Sequence, residues 1–500
     1  MSPITRRGLL RAGGAGAAGL AAGAAGHALL DTDDDCPPEE ERQNVVVVVI
    51  DNLRADHVGA YGSRRAATPN IDALARESLR FTAARPEAFP TVAARRAILT
   101  GRRSFPFRDW RADPDLPQGP SWSTIPPNHP TFLEILSDSG YTTGYVTDNP
   151  WILSRPYDRF RRTVDMVETV PGQVPARGGP RRRVPDDELR SKVLPALRGT
   201  SVEKRTREFL EVTPLDRRED DYPAARVFSE AARWLGRAPR RRPFALVVDA
   251  FTPHEPFDPP AKYLARYGEK DYGGPEPVQP FAPPIGTLEQ AGISDVVLQR
   301  IRDLYAAEVT FTDRWLGNFL DELDRRKMGE TTHVILLSDH GMLLGEHGYV
   351  GKKGAQAYRQ VTDVPFLIRD PARRAAGKTS GYFASTHDVA PTVLSALGLP
   401  AQGKMGGEDL TGLLEGRQPP PRPVFTASYD NALLAGDDRY LLLADNQGFV
   451  RRLYDSRTDP RQRRDVASTQ RDATARLWEA ILDDAGGTLP LFDERGAISG

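Results

Sequence analysis

Two acids and a histidine, each placed where an apolar run stops, carry the most legible chemistry of this chain. Six β-branched residues, Val45 to Ile50, end on Asp51, and a second apolar run beginning at His333 ends on Asp339-His340-Gly341. Acids beyond the carboxyl ends of buried strands stand where open α/β sheets place their ligands. Two carboxylates and an imidazole so placed can share one metal ion. A third candidate is Thr91, which follows Pro90 at the expected start of a helix running through Leu99. Its hydroxyl would sit at a helix N-terminus, where free N–H groups and the dipole favour an anion.

The elements that must hold these residues follow from the same patterns. Val45–Ile50 is too short for a membrane span and reads as a strand buried on both faces, the mark of a parallel sheet. Further strands are expected at Thr142–Val146, Phe244–Val248 and about Val364–Ile368, with helices at Ile71–Ser78, capped by Asn70, at Thr131–Ser139 and at Ala224–Leu235. A long helix through 297–325 carries Phe311, Trp315, Phe319 and Leu323 at four-residue spacing, which reads as a core stripe. Residues 170–222, rich in Arg, Pro and Gly, read as a solvated insertion, and 255–285 as Pro-rich loops. Beyond the Gly/Pro-rich stretch 401–423, short runs near Val424–Ser428, Tyr440–Ala444 and Phe449–Asp455 read as a small antiparallel sheet, followed by a helix from about Ala473 to Leu482.

Composition bounds the rest. With 500 residues the chain has ample length to bury a core, and a net charge of −1 argues against nucleic acid or an acidic membrane as partner. A single cysteine, Cys36, leaves no intramolecular disulfide and no thiolate cluster, so any metal site must use oxygen and nitrogen. Residues 1–30 open with Arg6-Arg7 ahead of an Ala/Gly-rich run, the layout of a twin-arginine export signal, with an ordinary secretory signal or a retained anchor as the alternatives. Such a run spans a bilayer poorly, so no stable membrane span is expected in the mature form and the protein is placed in the periplasm, at the cell surface or outside the cell. Residues 31–43 read as a flexible acidic spacer.

In chain order, VVVVIDNLRADHVGAYG, ATPNIDALARES, RRAILTGR, PHEPFDPP, LLSDHGMLLGEHGYVGK, THDVAPTVLSALGL and LYDSRTDP resemble the landmarks of the sulfatases of the alkaline phosphatase superfamily, over about residues 44 to 470. The resemblance implies an α/β sandwich with a central, mostly parallel sheet flanked by helices in residues 44–410, and a C-terminal antiparallel subdomain in 411–490. It implies one divalent cation, calcium, manganese or zinc, held by Asp51, Asp339 and His340, with Asn52 either a further ligand or a turn residue. Arg95 is implied to orient the nucleophile, and His254 and Lys352 to bind ester oxygens or protonate the leaving group. Ordinary roles for these three are a solvated helix face, a loop histidine and a surface lysine. Asn149 and His347 are candidate substrate contacts.

Two departures from the family pattern matter. Thr91-Val92-Ala93-Ala94-Arg95 occupies the Cys/Ser-x-Pro-x-Arg motif, whose first residue the family oxidises to formylglycine. A threonine cannot form that aldehyde, so no formylglycine is expected; Thr91 is then a direct nucleophile or a helix cap. Where many arylsulfatases carry Lys-x-His after the strand at Thr142, this chain has Thr147-Asp148-Asn149-Pro150. Fewer cations weaken a dianion pocket and favour a singly charged ester, a phosphodiester, a phosphonate monoester or a sulfate monoester cleaved slowly, and Thr91 in place of the formylglycine-forming residue favours the phosphodiester or phosphonate ester. A transferase acting on a cell-surface glycan or lipid, and a non-catalytic binding protein, are the alternatives to a hydrolase of small-molecule, glycan or lipid esters.

Overall fold

The Val45–Ile50 run is buried almost completely because it lies in the middle of a sheet covered on both faces. The structure is a computed structural model that describes residues 43–500 apart from 175–180, 240, 269–271, 281–286, 353, 402–404, 494–495 and 500. The export-signal reading therefore falls outside the described residues, as does the spacer apart from Gln43. Among the described residues no helix is long and apolar enough to cross a membrane.

Ten strands are met before the C-terminal sheet: β1 (Asn44–Ile50), β2 (Leu79–Phe81), β3 (Thr142–Thr147), β4 (Met166–Thr169), β5 (Phe244–Ala250), β6 (Thr332–Ser338), β7 (Leu343–Leu344), β8 (Val350–Gly351), β9 (Phe366–Arg369) and β10 (Thr379–Ser380). Eight of them form the main sheet in the order β10-β2-β9-β6-β1-β5-β3-β4. All neighbours are parallel except β9, which runs against both β2 and β6. The expected central, mostly parallel sheet is thus the fold of the chain.

Side chains alternate across the strands, so each strand feeds two cores. Val46, Val48 and Ile50 join Trp234, Phe228, Phe319 and Leu316 from the helices Pro223–Arg237 and Asp295–Arg325. Helices Thr91–Thr100, Phe132–Asp138 and Val389–Ala396 pack on one another in a second layer. Gly144 of β3 shows how close the helix layer comes, since a Cβ there would lie 2.4 Å from the Trp234 ring. The long helix carries the expected stripe, with Phe311, Phe319 and Leu323 buried and Trp315 half-buried.

Several local expectations need correction. Residues 170–222 are not simply a solvated insertion: they include helices Asp186–Arg190 and Ser201–Val212, and Leu189, Leu194, Val202 and Phe209 are buried in the main core. Their apolar residues recur at helical spacing beneath an Arg- and Pro-rich composition, which hid the pattern. Asn70 does not cap its helix, which runs Pro69–Arg76 from Thr68; its side chain donates instead to Asp313, at 2.7 Å. Thr131 lies just outside its helix and caps it, exchanging hydrogen bonds with Glu134.

The C-terminal antiparallel sheet has four strands, β11 (Phe425–Tyr429), β12 (Ala432–Gly436), β13 (Tyr440–Asp445) and β14 (Arg451–Asp455), in that order. Phe449 belongs to the exposed turn before β14 and not to the strand. One face of the sheet packs on the helix Arg471–Asp484 through Leu433, Leu442 and Trp478, and the other on Phe89, Leu343 and Tyr358. Backbone hydrogen bonds from Phe89 N to Ser428 O, 3.0 Å, and from Ser428 N to Glu87 O, 3.1 Å, pair β11 with the segment leading into Thr91.

Candidate active site

Three adjacent strands, β6, β1 and β5, each deliver an acid to the same end of the sheet: Asp339 just past β6, Asp51 just past β1, and Asp249 as the next-to-last residue of β5. All three are fully buried. Charges so placed persist only when paired. The partner is Arg95, which the buried helix Thr91–Thr100 projects into their midst. Its Nη1 lies 3.1 Å from Asp51 and also donates to Asp339, while Nη2 and Nε reach Asp249 at 2.6 and 3.3 Å. The Tyr145 hydroxyl of β3 donates to Asp249 Oδ2 at 2.8 Å. Arg95 is therefore turned toward the acids.

Asn52 takes a left-handed conformation, φ 63°, which lets its backbone N–H donate to Asp339 Oδ1 at 2.9 Å. The His340 N–H donates to the same oxygen at 2.8 Å. His340 Nδ1 faces the Gly341 carbonyl at 3.1 Å, so the proton sits on Nδ1 and Nε2 presents its lone pair. Nε2 stands 3.4 Å from Asp339 and 4.0 Å from Asp51. Burial, reinforced by Lys352 and His254, drops the His340 pKa to about 3 despite Asp339, so the ring is neutral. Burial and the facing Asp339 raise Asp51 well above the carboxylate range. Burial opposes the Asp339 charge as well, yet Arg95, His340 and the Asn52 N–H hold it below its ordinary value.

The donor set fits a divalent cation. Asp51, Asp339 and His340 each offer a ligand atom, all within 4.8 Å of one another. Asp51 Oδ1, Asn52 Oδ1 and His340 Nε2 are buried without hydrogen-bond partners among the described residues, an expensive state unless a cation satisfies them. Once a cation displaces the Asp51 proton, three carboxylates against one guanidinium leave two negative charges, the match for a divalent ion. Asn52 has positive φ and its Nδ2 donates to Met342 Sδ at 3.0 Å, while its Oδ1 has no partner among the described residues.

Thr91 is the first residue of its helix, and its Oγ1 donates to Asp51 Oδ2 at 3.2 Å. Opposite it comes the loop carrying Lys352, whose Nζ lies 2.9 Å from His254 Nε2 and 3.8 Å from Glu255. His254 Nδ1 faces the Glu255 carbonyl at 2.8 Å, and its ring stacks on Phe251. Burial lowers the His254 pKa to about 4, with Lys352 adding to the drop against Glu255. His254 is thus neutral and accepts from the Lys352 ammonium.

Asp148, at 2% exposure, donates nothing to the site; its Oδ1 accepts from the Phe251 N–H at 2.8 Å, and burial pushes its pKa up to about 7. Asn149 Oδ1 accepts from the Trp151 N–H at 3.0 Å while Nδ2 is buried without a partner. His347 does not join this group. It lies face to face with Tyr358, centroids 3.5 Å apart, on the rim of a separate cavity. Arg96 is 3% exposed and pairs with Asp109, so it is not a solvated face.

Two members of the network were absent from the sequence reading. Asp249 carries the same signal as Asp51 and Asp339, an acid closing an apolar run. Tyr145 carries none, since nothing in a buried strand marks one tyrosine as the partner of an acid on the next.

A mostly parallel sheet that gathers acids, an imidazole and a helix-end hydroxyl at its carboxyl edge defines a hydrolase of sulfate or phosphate esters. Residues 43–399 match the Sulfatase family profile, and the chain belongs to that family. Enzymes of this family bind a divalent metal. An arylsulfatase of Clostridium perfringens is 25% identical over 391 residues, 74% of this chain and 77% of its own length. Among solved structures, the phosphonate monoester hydrolase of Agrobacterium radiobacter aligns over 92% of this chain and 100% of its own, with TM-score 0.67 and 22% identity. The phosphonate monoester hydrolase SpPMH of Silicibacter pomeroyi aligns over 92% and 99%, with TM-score 0.68 and 19% identity. These likenesses share the fold.

Proposed function

We propose that the protein is an exported, metal-dependent hydrolase of a singly charged ester, a phosphodiester or a phosphonate monoester, with Thr91 as nucleophile. The observation that carries this reading is the Thr91 hydroxyl, first in a buried helix and 3.2 Å from Asp51 Oδ2. Export rests on the Arg6-Arg7 segment alone.

Asp51 Oδ2 takes the Thr91 hydrogen bond, fixes the hydroxyl and accepts its proton as the oxygen attacks. Asp51, Asp339 and His340, with Asn52 beside them, would hold a divalent ion, whose chemistry there would be Lewis-acid charge that favours the ionised hydroxyl. Arg95 keeps the three acids at their positions. Lys352 carries the proton closest to a leaving oxygen, and His254, neutral and anchored on Glu255, orients the ammonium. Water then cleaves the Thr91 ester. Support for a monoanion comes from the strand-end pair Asp148 and Asn149, which brings no cation, and from the phosphonate monoester hydrolases among the structural neighbours.

The test is parallel hydrolysis of aryl sulfate, aryl phosphate, aryl phosphodiester and aryl phosphonate esters by metal-loaded protein, with Thr91→Ala as control. Diester or phosphonate turnover that falls by about three orders of magnitude in Thr91→Ala is expected. Turnover of the aryl phosphate alone removes the monoanion argument, turnover of the sulfate alone removes the preference for phosphorus esters, and undiminished turnover in Thr91→Ala removes Thr91 from the mechanism.

A further inference from the structure

The loop that ends in Lys352 has a second face. Behind Gly345-Glu346-His347-Gly348 lies a cavity of about 870 Å³, bounded by the long helix at Arg302 and by the turn at Arg461 and Arg463. None of the acids that surround Arg95 lines it. It connects to the reaction centre through Arg54, which stands two residues past Asn52 and donates to the Met342 carbonyl at 3.0 Å.

The charge lining this cavity is unevenly spent. Asp56 and Glu346 border it, but both are engaged by Arg54, itself 1% exposed, through contacts of 2.8 Å to each. Arg65 closes on Asp56 as well. The remaining acid of the lining, Asp303, accepts from Gln299 at 2.8 Å. Arg302 spends only its Nε, on the Leu344 carbonyl at 2.8 Å. Arg461 and Arg463 are exposed and form no ion pair among the described residues. Four guanidinium groups thus line the cavity against three carboxylates, two of which the buried Arg54 already engages.

The turn that presents Arg461 and Arg463 is held firmly. Between them Gln462 is 1% exposed, adopts φ 54°, and accepts from the Arg359 N–H at 2.9 Å. The Arg464 N–H donates to Asp459 at 2.7 Å. One buried residue flanked by two exposed arginines places both arginine backbones on the rim. Elsewhere in the lining, Gly345, His347 and Gly348 all have positive φ, at 102°, 54° and 75°. A non-glycine residue in that region is held there by its surroundings, here the stack on Tyr358.

We propose that this cavity is a second anion-binding site, taking a sulfate or phosphate group through Arg302, Arg461 and Arg463. Guanidinium forks match the paired oxygens of such groups. The volume exceeds what one oxyanion fills and falls in the range of sites for organic ligands, so the group is carried on a larger molecule. An ester substrate with a second anionic group is one such molecule.

The experiment is calorimetric titration of metal-loaded protein with inorganic sulfate, inorganic phosphate and glucose 6-phosphate, comparing the natural chain with Arg461→Ala/Arg463→Ala and with Arg463→Glu. Glucose 6-phosphate is expected to bind more tightly than either inorganic ion and to lose on the order of tenfold in affinity in both variants. Equal binding of the inorganic ions with the same loss supports the anion site and makes its occupant a free anion. Identical isotherms for all three proteins overturn the proposal. Turnover of a simple aryl ester is expected to be the same in all three, and because the titration needs no turnover, its result stands apart from the fate of Thr91.

Discussion

Replacing Arg95 by Met tests the central network most directly. The guanidinium is 1% exposed and meets three carboxylates that are themselves fully buried. Methionine fills similar volume without the charge, so the loss of packing is small and the exposed quantity is the cost of unpaired buried acids. Breaking one buried pair costs about 3–5 kcal/mol. Two strong contacts to Asp249 place Arg95→Met at the upper end, about 5 kcal/mol, in urea unfolding with chelator present. Removing the acid in the same background relieves part of the penalty, so a cycle with Asp249→Asn should return a coupling of about 2 kcal/mol. A divalent ion should recover part of the loss, because it supplies the charge that Arg95 gave. A cost below about 1 kcal/mol in chelator would show that the acids do not depend on Arg95 and would refute the charge count offered for the site.

Glu308, buried beside the Asp258 N–H at 2.9 Å, is raised from 4.5 to about 8, chiefly by burial. A folded pKa above the unfolded one means the native state binds the extra proton, so stability should fall as pH rises from about 4.5 to about 8, by an upper bound of about 5 kcal/mol; Glu308→Gln should flatten that slope in denaturation across the window. Gly144→Ala pushes a methyl to 2.4 Å from the Trp234 ring and should cost about 1–3 kcal/mol in the same assay. Removal of divalent metal should abolish ester turnover and lower the melting temperature, and restoration of both by added metal checks that the effect is reversible.

The site was legible where the chain obeys a rule of sheets. Asp51, Asp339 and His340 follow buried runs of parallel strands, and the structure gathers them within 4.8 Å. The long helix and the C-terminal sheet were legible for the same reason, strong periodicity. β2 and β4, of three and four residues, are too short to show a period, and β12 reads as an unremarkable Ala/Leu/Gly run. Strand direction is not encoded in burial, so nothing in Phe366–Arg369 announces that it runs against its neighbours. Spacing placed Arg95 one turn past Thr91 but left open which way it faces, since that depends on acids from three other segments.

The pairing of β11 with the segment before Thr91 carries a consequence for the order in which the protein becomes active. A chain emerging from the ribosome releases the Thr91 helix early and Ser428 near the end, so the segment before Thr91 stays without its backbone partner through most of synthesis. Cleavage that removes the C-terminal strands would return Glu87 and Phe89 to that unfinished state while leaving Asp51, Asp339 and His340 in place. Completion of the polypeptide is thus the event that gives the segment before Thr91 its backbone partner.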